Sequence, residues 1–234
     1  MKNLCIIPAR FGSKGVPGKN IKRLNGKKLL EYTYEAALSS RLIDKTILST
    51  DSEIIAESAY PYRIEVPFIR PPHLAKDDTP TLPVIKHAID YFDKCGEQYD
   101  YVVLLQPTCP FRERGFVDKC IEHFIATEAD SLCSVRKVPH EYNPHWVFET
   151  DDAGFLKVAT GDEAVIPSRQ LLPPAFARDG SVYVFKADNI SKYNSIYGKK
   201  MAYLESENLL HINIDTREDW AKAEMMAHIL CSVN

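Results

Sequence analysis

Arg10, Lys14 and Lys19 stand in one short stretch, IIPARFGSKGVPGKN, interleaved with Gly12, Ser13, Gly15 and Gly18. Glycines let main-chain amides approach an anion closely, and cations this near in sequence repel one another unless something negative lies between them. A phosphate is the simplest such anion; the bland alternative is a solvated basic turn. Neither familiar phosphate loop accounts for the spacing. The Walker form needs Gly, four residues, then Gly-Lys-Ser/Thr, whereas here Lys19 is followed by Asn20 and five residues separate Gly12 from Gly18. The dinucleotide fingerprint G-x-G-x-x-G fails as well, because Gly12, Gly15 and Gly18 are spaced three and three.

Two further pieces join the basic loop: Gln106, where the apolar run of YDYVVLLQPTCPFR meets a proline loop, and Asp215 in NIDTRED. Together they match what nucleotidyl transfer needs, with cations to hold a triphosphate and a carboxylate to carry Mg²⁺, while little covalent chemistry falls to the protein. Asp215 has a structural reading too, as the cap of the last helix.

The elements that must position these residues follow from apolar periodicity. Leu4 to Ile7 is a short apolar run bounded by Pro8, the mark of a central parallel strand, and open α/β sheets bind ligands beyond the carboxyl ends of such strands. KKLLEYTYEAALSS has helical spacing. KTILSTDSEIIAESA predicts a strand over 46–49, a turn at Thr50-Asp51 and a helix capped by Ser52. A proline-studded loop then leads into a helix that tolerates Pro80 or Pro83 in its first turn. RGFVDKCIEHFIATEA is helical, SLCSVRKV and SVYVFKA are strands, and the chain closes with a strand, a turn at Asp215-Thr216 and a helix. This alternation predicts an α/β fold, a Rossmann-like mostly parallel sheet flanked by helices. Residues 139–178 break the pattern with prolines, short β-prone pieces and a turn at 152–154, and are expected to form an arm or lid on an otherwise single domain spanning 1–234.

Composition excludes several classes. The net charge of -3 argues against a nucleic-acid partner or a membrane surface, both of which call for a basic excess. Six cysteines without C-x-x-C or His/Cys metal spacing suit a reducing, cytoplasmic setting. The opening apolar run is too short for a signal segment, and no run is of membrane length.

Taken together, IIPARFGSKGVPGKNIKRLNGK, STDSEIIAESA, VPFIRPPHLAKDDTPT, YDYVVLLQPTCPFR, IPSRQLLPPAFARDGSVYVF and NIDTREDWAKAE resemble the CMP-sialic acid synthetases, or acylneuraminate cytidylyltransferases, nearly end to end. The resemblance implies a fold of the nucleotide-diphospho-sugar transferase type and a homodimer made through the arm. It further implies a reaction in which CTP and a nine-carbon acid sugar give the CMP-sugar and pyrophosphate with Mg²⁺. It places Arg10, Ser13, Lys14, Lys19 and Asn20 around the triphosphate, with Arg10 and Lys19 joining Asp215 as the catalytic group. Arg70 and the stretch from Thr79 to Thr81 become candidates for the base, Gln106 faces nucleotide and sugar, and Arg169 holds the sugar's carboxylate, a task suited to a planar bidentate cation.

Three departures fall mostly on the acceptor side. The family's metal pair Asp-Ile-Asp reads Asn213-Ile214-Asp215, so Asn213 would ligate through a neutral amide oxygen beside Asp215. Asp179 precedes Gly180 where an asparagine is usual, and PHEYNPHW replaces a run that carries a sugar-contacting lysine. A sugar-phosphate nucleotidyltransferase, possibly using another NTP, is the near alternative. An oxidoreductase with Asp51 on a nicotinamide ribose, or a non-catalytic nucleotide sensor, are the remote ones.

Overall fold

The computed structural model describes residues 1–207 and 210–233, with side chains described through residue 230. In chain order the elements are β1 (Asn3–Pro8), β2 (Arg23–Leu24), β3 (Lys27–Lys28), α1 (Leu29–Ser39), β4 (Lys45–Ser49), α2 (Glu53–Glu57), α3 (Thr81–Lys94), β5 (Tyr101–Leu104) and α4 (Phe116–Thr127). There follow β6 (Ser131–Lys137), β7 (Phe148–Thr150), β8 (Leu156–Val158), β9 (Phe176–Lys186), α5 (Asn189–Tyr193), β10 (Met201–Glu205) and α6 (Arg217–Val233). The main sheet has the order β10-β6-β9-β5-β1-β4.

β1 is central and parallel to both β4 and β5, which explains its unbroken apolar run: both faces are covered. Cys5, Ile7, Leu48, Val103, Leu105, Val182 and Val184 share one core cluster with α1, α2 and α4. Leu4 and Ile6, of the opposite parity, are just as buried, and α3 packs against β1 with Val84, Ile85, Ala88 and Phe92 inside. Ser52 caps α2 as its sequence predicts, its Oγ accepting from the Ile55 amide. Pro80 is the N-cap of α3 and Pro83 sits in its first turn, where a missing N–H does no harm.

Within the mostly parallel sheet β9 runs antiparallel to β5, a direction that an apolar run such as SVYVF does not encode. One expectation needs correction: residues 211–215 form no strand. This extended segment meets the loop after β5 through the Ile214 amide on the Thr108 carbonyl, 2.9 Å, and is pinned by a second cluster in which Ile212 and Ile214 pack with Val16, Leu29 and Trp220. That cluster fixes the opening loop beside Asp215.

Among the described residues, 135–178 with 205–207 form a compact unit of their own, while 1–134, 179–204 and 210–233 form the other. The smaller unit is built of 3₁₀ turns at His140–Tyr142, Pro144–Trp146 and Arg169–Leu171 and of the hairpin β7–β8, closed by Gly154 at φ +84°. Trp146 Nε1 donates to the Ile166 carbonyl at 2.8 Å, and buried Asn143 donates to the Pro173 carbonyl at 2.9 Å. Cys5, Cys95, Cys109, Cys120 and Cys133 form no disulfide; Cys231 lies outside the described side chains. No described helix is long and apolar enough to cross a membrane.

Candidate active site

Beyond the carboxyl ends of β1 and β5 the larger unit holds a cleft of about 290 Å³. The opening loop contributes Arg10, Lys19 and Asn20, and the loop entering α3 contributes Arg70, Lys76, Thr79 and Thr81. Gln106 and Thr108 come from the loop after β5, and Asp215 from the segment before α6. Nearly every residue singled out for the nucleotide is thus brought to one cleft. Ser13 and Lys14 are not among its lining residues, and Lys14 is largely exposed.

The opening loop's cations already hold anions, and these are carboxylates of the chain. Arg10 and Lys14 both pair with Asp77, and Lys19 Nζ reaches Asp215 Oδ1 at 3.0 Å and the Ile214 carbonyl at 2.9 Å. Asn20 is buried and donates to the Arg10 carbonyl at 2.8 Å, so it shapes the loop rather than facing the cleft as a free donor. Gly15 is required by packing: a β-carbon there would fall 1.8 Å from the Asp215 carbonyl oxygen. Only glycine lets the loop lie flush against that backbone.

Arg70 is 3% exposed, yet its Nε and Nη2 have no hydrogen-bond partner. Asp51 Oδ1 is 3.8 Å from Nη2, too far for a hydrogen bond, and accepts instead from the Phe11 amide at 2.9 Å. Burial lowers the Arg70 pKa below the ordinary guanidinium value, with Asp51 opposing the fall and Arg10 adding to it. The residue lines the cleft, and two of its donors are left without a partner among the described residues, hydrogen-bonding capacity that the protein itself does not use. Asp51, engaged with the loop, is not poised as a ribose ligand.

Asp215 does not cap α6. Thr216 and Asp219 do so reciprocally: Asp219 Oδ2 accepts from the Thr216 amide at 2.9 Å and Thr216 Oγ1 from the Asp219 amide at 3.1 Å. The Asp215 carboxylate is left for the cleft, its side chain 60% exposed. Asn213 Nδ2 donates to Asp215 Oδ2 at 3.0 Å, while its Oδ1 faces Cys109 Sγ at 3.7 Å. Asn213 therefore stands as a donor holding the carboxylate, not as a second oxygen beside it. Among the described residues no three His, Cys, Asp or Glu side chains cluster as a metal site. A single carboxylate at an open cleft still fits Mg²⁺, which keeps waters and substrate phosphates as most of its ligands.

Residues that sequence reading missed lie behind the cleft. Arg112, half-buried, donates to the Gln106 carbonyl at 2.6 Å, the Ser181 carbonyl at 2.9 Å and Thr33 Oγ1 at 3.2 Å. It locks the turn that presents Gln106. Gly180, at φ +78°, leaves room for Gln106 Oε1 and Cys109 Sγ, which a β-carbon would meet at 3.2 and 3.1 Å. Burial pushes the Cys109 thiol up to about 11, so it is no nucleophile at neutral pH. Nothing in CPFRER distinguishes a half-buried arginine from a solvated one.

Arg169 belongs to the smaller unit. There it lines a cavity of about 530 Å³ with Lys137, His140 and Asn143, and no carboxylate lines it. His145 is paired with Asp162 at 2.5 Å and His140 with Glu141 at 3.4 Å, so the two histidines serve separate contacts.

A family model described as cytidylyltransferase matches residues 4–229. A protein of Legionella pneumophila named CMP-N,N'-diacetyllegionaminic acid synthase is 33% identical over 231 residues, covering 98% of this chain and 97% of that one. A Campylobacter jejuni protein named pseudaminic acid cytidylyltransferase is 32% identical over 227 residues, covering 97% and 96%. A solved structure titled CMP:2-keto-3-deoxy-manno-octonic acid synthetase complexed with CTP shares the fold at a TM-score of 0.71, with 14% identity over 98% of this chain and all of that one.

Proposed function

This chain belongs to the cytidylyltransferase family, and we propose that it transfers CMP from CTP to a nonulosonic acid of the sialic-acid type, releasing pyrophosphate. The relatives named for activating legionaminic and pseudaminic acids support the acceptor class. The observation that carries the nucleotide assignment is Arg70. Its idle Nε and Nη2 call for adjacent acceptors, which cytosine offers at O2 and N3, whereas N3 of uracil carries a proton. Thr79 and Thr81 line the same wall.

In this reading Arg10 and Lys19 hold the triphosphate and gather the charge that grows on the leaving pyrophosphate as the acceptor's hydroxyl attacks the α-phosphorus. Each cation is paired with a carboxylate of the chain, Arg10 with Asp77 and Lys19 with Asp215, and must exchange that partner for phosphate. Asp215 would hold Mg²⁺, which supplies charge neutralisation at the phosphates. Asn213 steadies that carboxylate through its amide hydrogens. Among the described residues no histidine and no carboxylate other than Asp215 lines the cleft, so the acceptor's proton is assigned to no side chain. Arg169 is assigned to the acceptor's carboxylate, a charge that a neutral sugar lacks.

The smaller unit is proposed to pair with a second copy of the chain: Tyr142, Phe155, Leu156 and Leu171 are each more than half exposed, an apolar surface that solvent does not favour. A cytoplasmic setting suits the free thiols.

The test is product analysis. With CTP, Mg²⁺ and a nonulosonic acid, pyrophosphate and a CMP-linked acid sugar should form in equal amounts by phosphorus NMR and mass spectrometry. Consumption of a sugar phosphate to give a CDP-linked product would overturn the acceptor assignment. Preference for another NTP would overturn the assignment of Arg70.

A further inference from the structure

Asp77 is an unexplained charge beside the cleft. It lies between two lining residues, Lys76 and Thr79, and its own carboxylate is turned to the opening loop, with Arg10 Nη1 on Oδ1 and Lys14 Nζ on Oδ2 at 3.1 Å. The donors, Arg10 first and then Lys14, hold its carboxyl below the usual carboxylate range, so it is ionised wherever the enzyme works near neutrality. One carboxylate thus satisfies two of the three cations that the proposed cradle would turn to phosphate. A cation cannot serve both partners in full, so a phosphate ligand must compete with Asp77.

We propose that Asp77 is an internal stand-in for the leaving group: it holds Arg10 and Lys14 when no phosphate is bound, yields them to the β- and γ-phosphates of the nucleotide, and takes them back as pyrophosphate departs. Pyrophosphate carries more charge than one carboxylate and therefore wins on binding. The returning carboxylate weakens its hold and favours turnover over product retention. The pairs with Asp77 are partly exposed and screened, so the effect is a modest one. The proposal rests on the reading of the loop as a phosphate cradle. The rival role for Asp77 is a tether that pre-positions Arg10 for phosphate, and it predicts the opposite sign.

The test uses inorganic pyrophosphate and CMP as probes against wild type, Asp77→Asn and Asp77→Ser, at a fixed Mg²⁺ concentration. The affinities are measured by calorimetry, and pyrophosphate is also measured as a product inhibitor. Both variants should bind pyrophosphate about two- to fivefold more tightly, the range of an exposed ion pair. CMP, which lacks the outer phosphates, should bind as before. Unchanged or weaker pyrophosphate binding in both variants would overturn the proposal, as would an equal tightening for CMP, which signals only a more positive field. If wild type itself binds no pyrophosphate, the cradle reading fails first. Thermal midpoints confirm that the substitutions, in an exposed loop, leave the fold intact.

Discussion

The two units hold their candidate ligand-binding arginines in different ways. In the larger one Arg70 is 3% exposed, its amide held by the Thr50 carbonyl, and Arg112 is half-buried and held by the Gln106 and Ser181 carbonyls. In the smaller one Arg169 and Lys137 are exposed, and so are large apolar side chains such as Phe155 at 72% and Leu156 at 69%. A buried cation with idle donors is organised before its ligand arrives, whereas exposed cations among exposed apolar groups acquire their meaning from what covers them. The proposed assignments follow this contrast, with the nucleotide on the cleft of the larger unit and the acceptor's carboxylate on Arg169.

The sharpest way to break this division is at Asp215. Asp215→Ala should lower turnover by at least roughly a hundredfold, about 3 kcal/mol of transition-state stabilisation. The melting temperature should hold, because Thr216 and Asp219 carry the cap of α6. Near-normal turnover in a steady-state assay would remove the carboxylate from the mechanism. Arg112→Leu should instead act on stability, by about 3 kcal/mol in a urea titration, since it leaves the Gln106 and Ser181 carbonyls and the Thr33 hydroxyl without their donor. A smaller loss would mean that water replaces those contacts.

Next in size are Arg10→Ala and Lys19→Ala, each expected to weaken CTP binding by roughly 1.5 to 3 kcal/mol, the scale of a hydrogen bond to a charged group. Calorimetry that finds CTP affinity unchanged in both would leave the loop a basic turn. The smallest effect is expected at Asn213→Asp. A second carboxylate beside Asp215 should lower the Mg²⁺ concentration for half-maximal rate by a few fold, with turnover retained. A rise would show that the amide donor now on Asp215 matters more than added charge.

Much of both units was legible where the signals are local. The apolar run at Leu4 to Ile7, the cap at Ser52 and the turn at 152–154 all appear where their residues predict them. What escaped depends on partners distant in sequence. The antiparallel course of β9, Arg112 on the Gln106 carbonyl and Asp77 on Arg10 and Lys14 have no local pattern. The opening loop illustrates the limit: its cations do require an anion, but two carboxylates from positions 77 and 215 supply one within the chain itself. Gly15 was legible as a flexible loop residue and turned out to be needed for contact with the Asp215 backbone.

The division of substrates is tested most directly by the kinetics of Arg169→Lys, with CTP and the acid sugar varied in turn. Lysine keeps the charge and loses the planar fork, so the acceptor KM should rise by about tenfold or more while the CTP KM stays within about twofold. Equal changes in both KM values, or a change confined to CTP, would place Arg169 on the nucleotide or in the fold and contradict the assignment of the acceptor to the smaller unit.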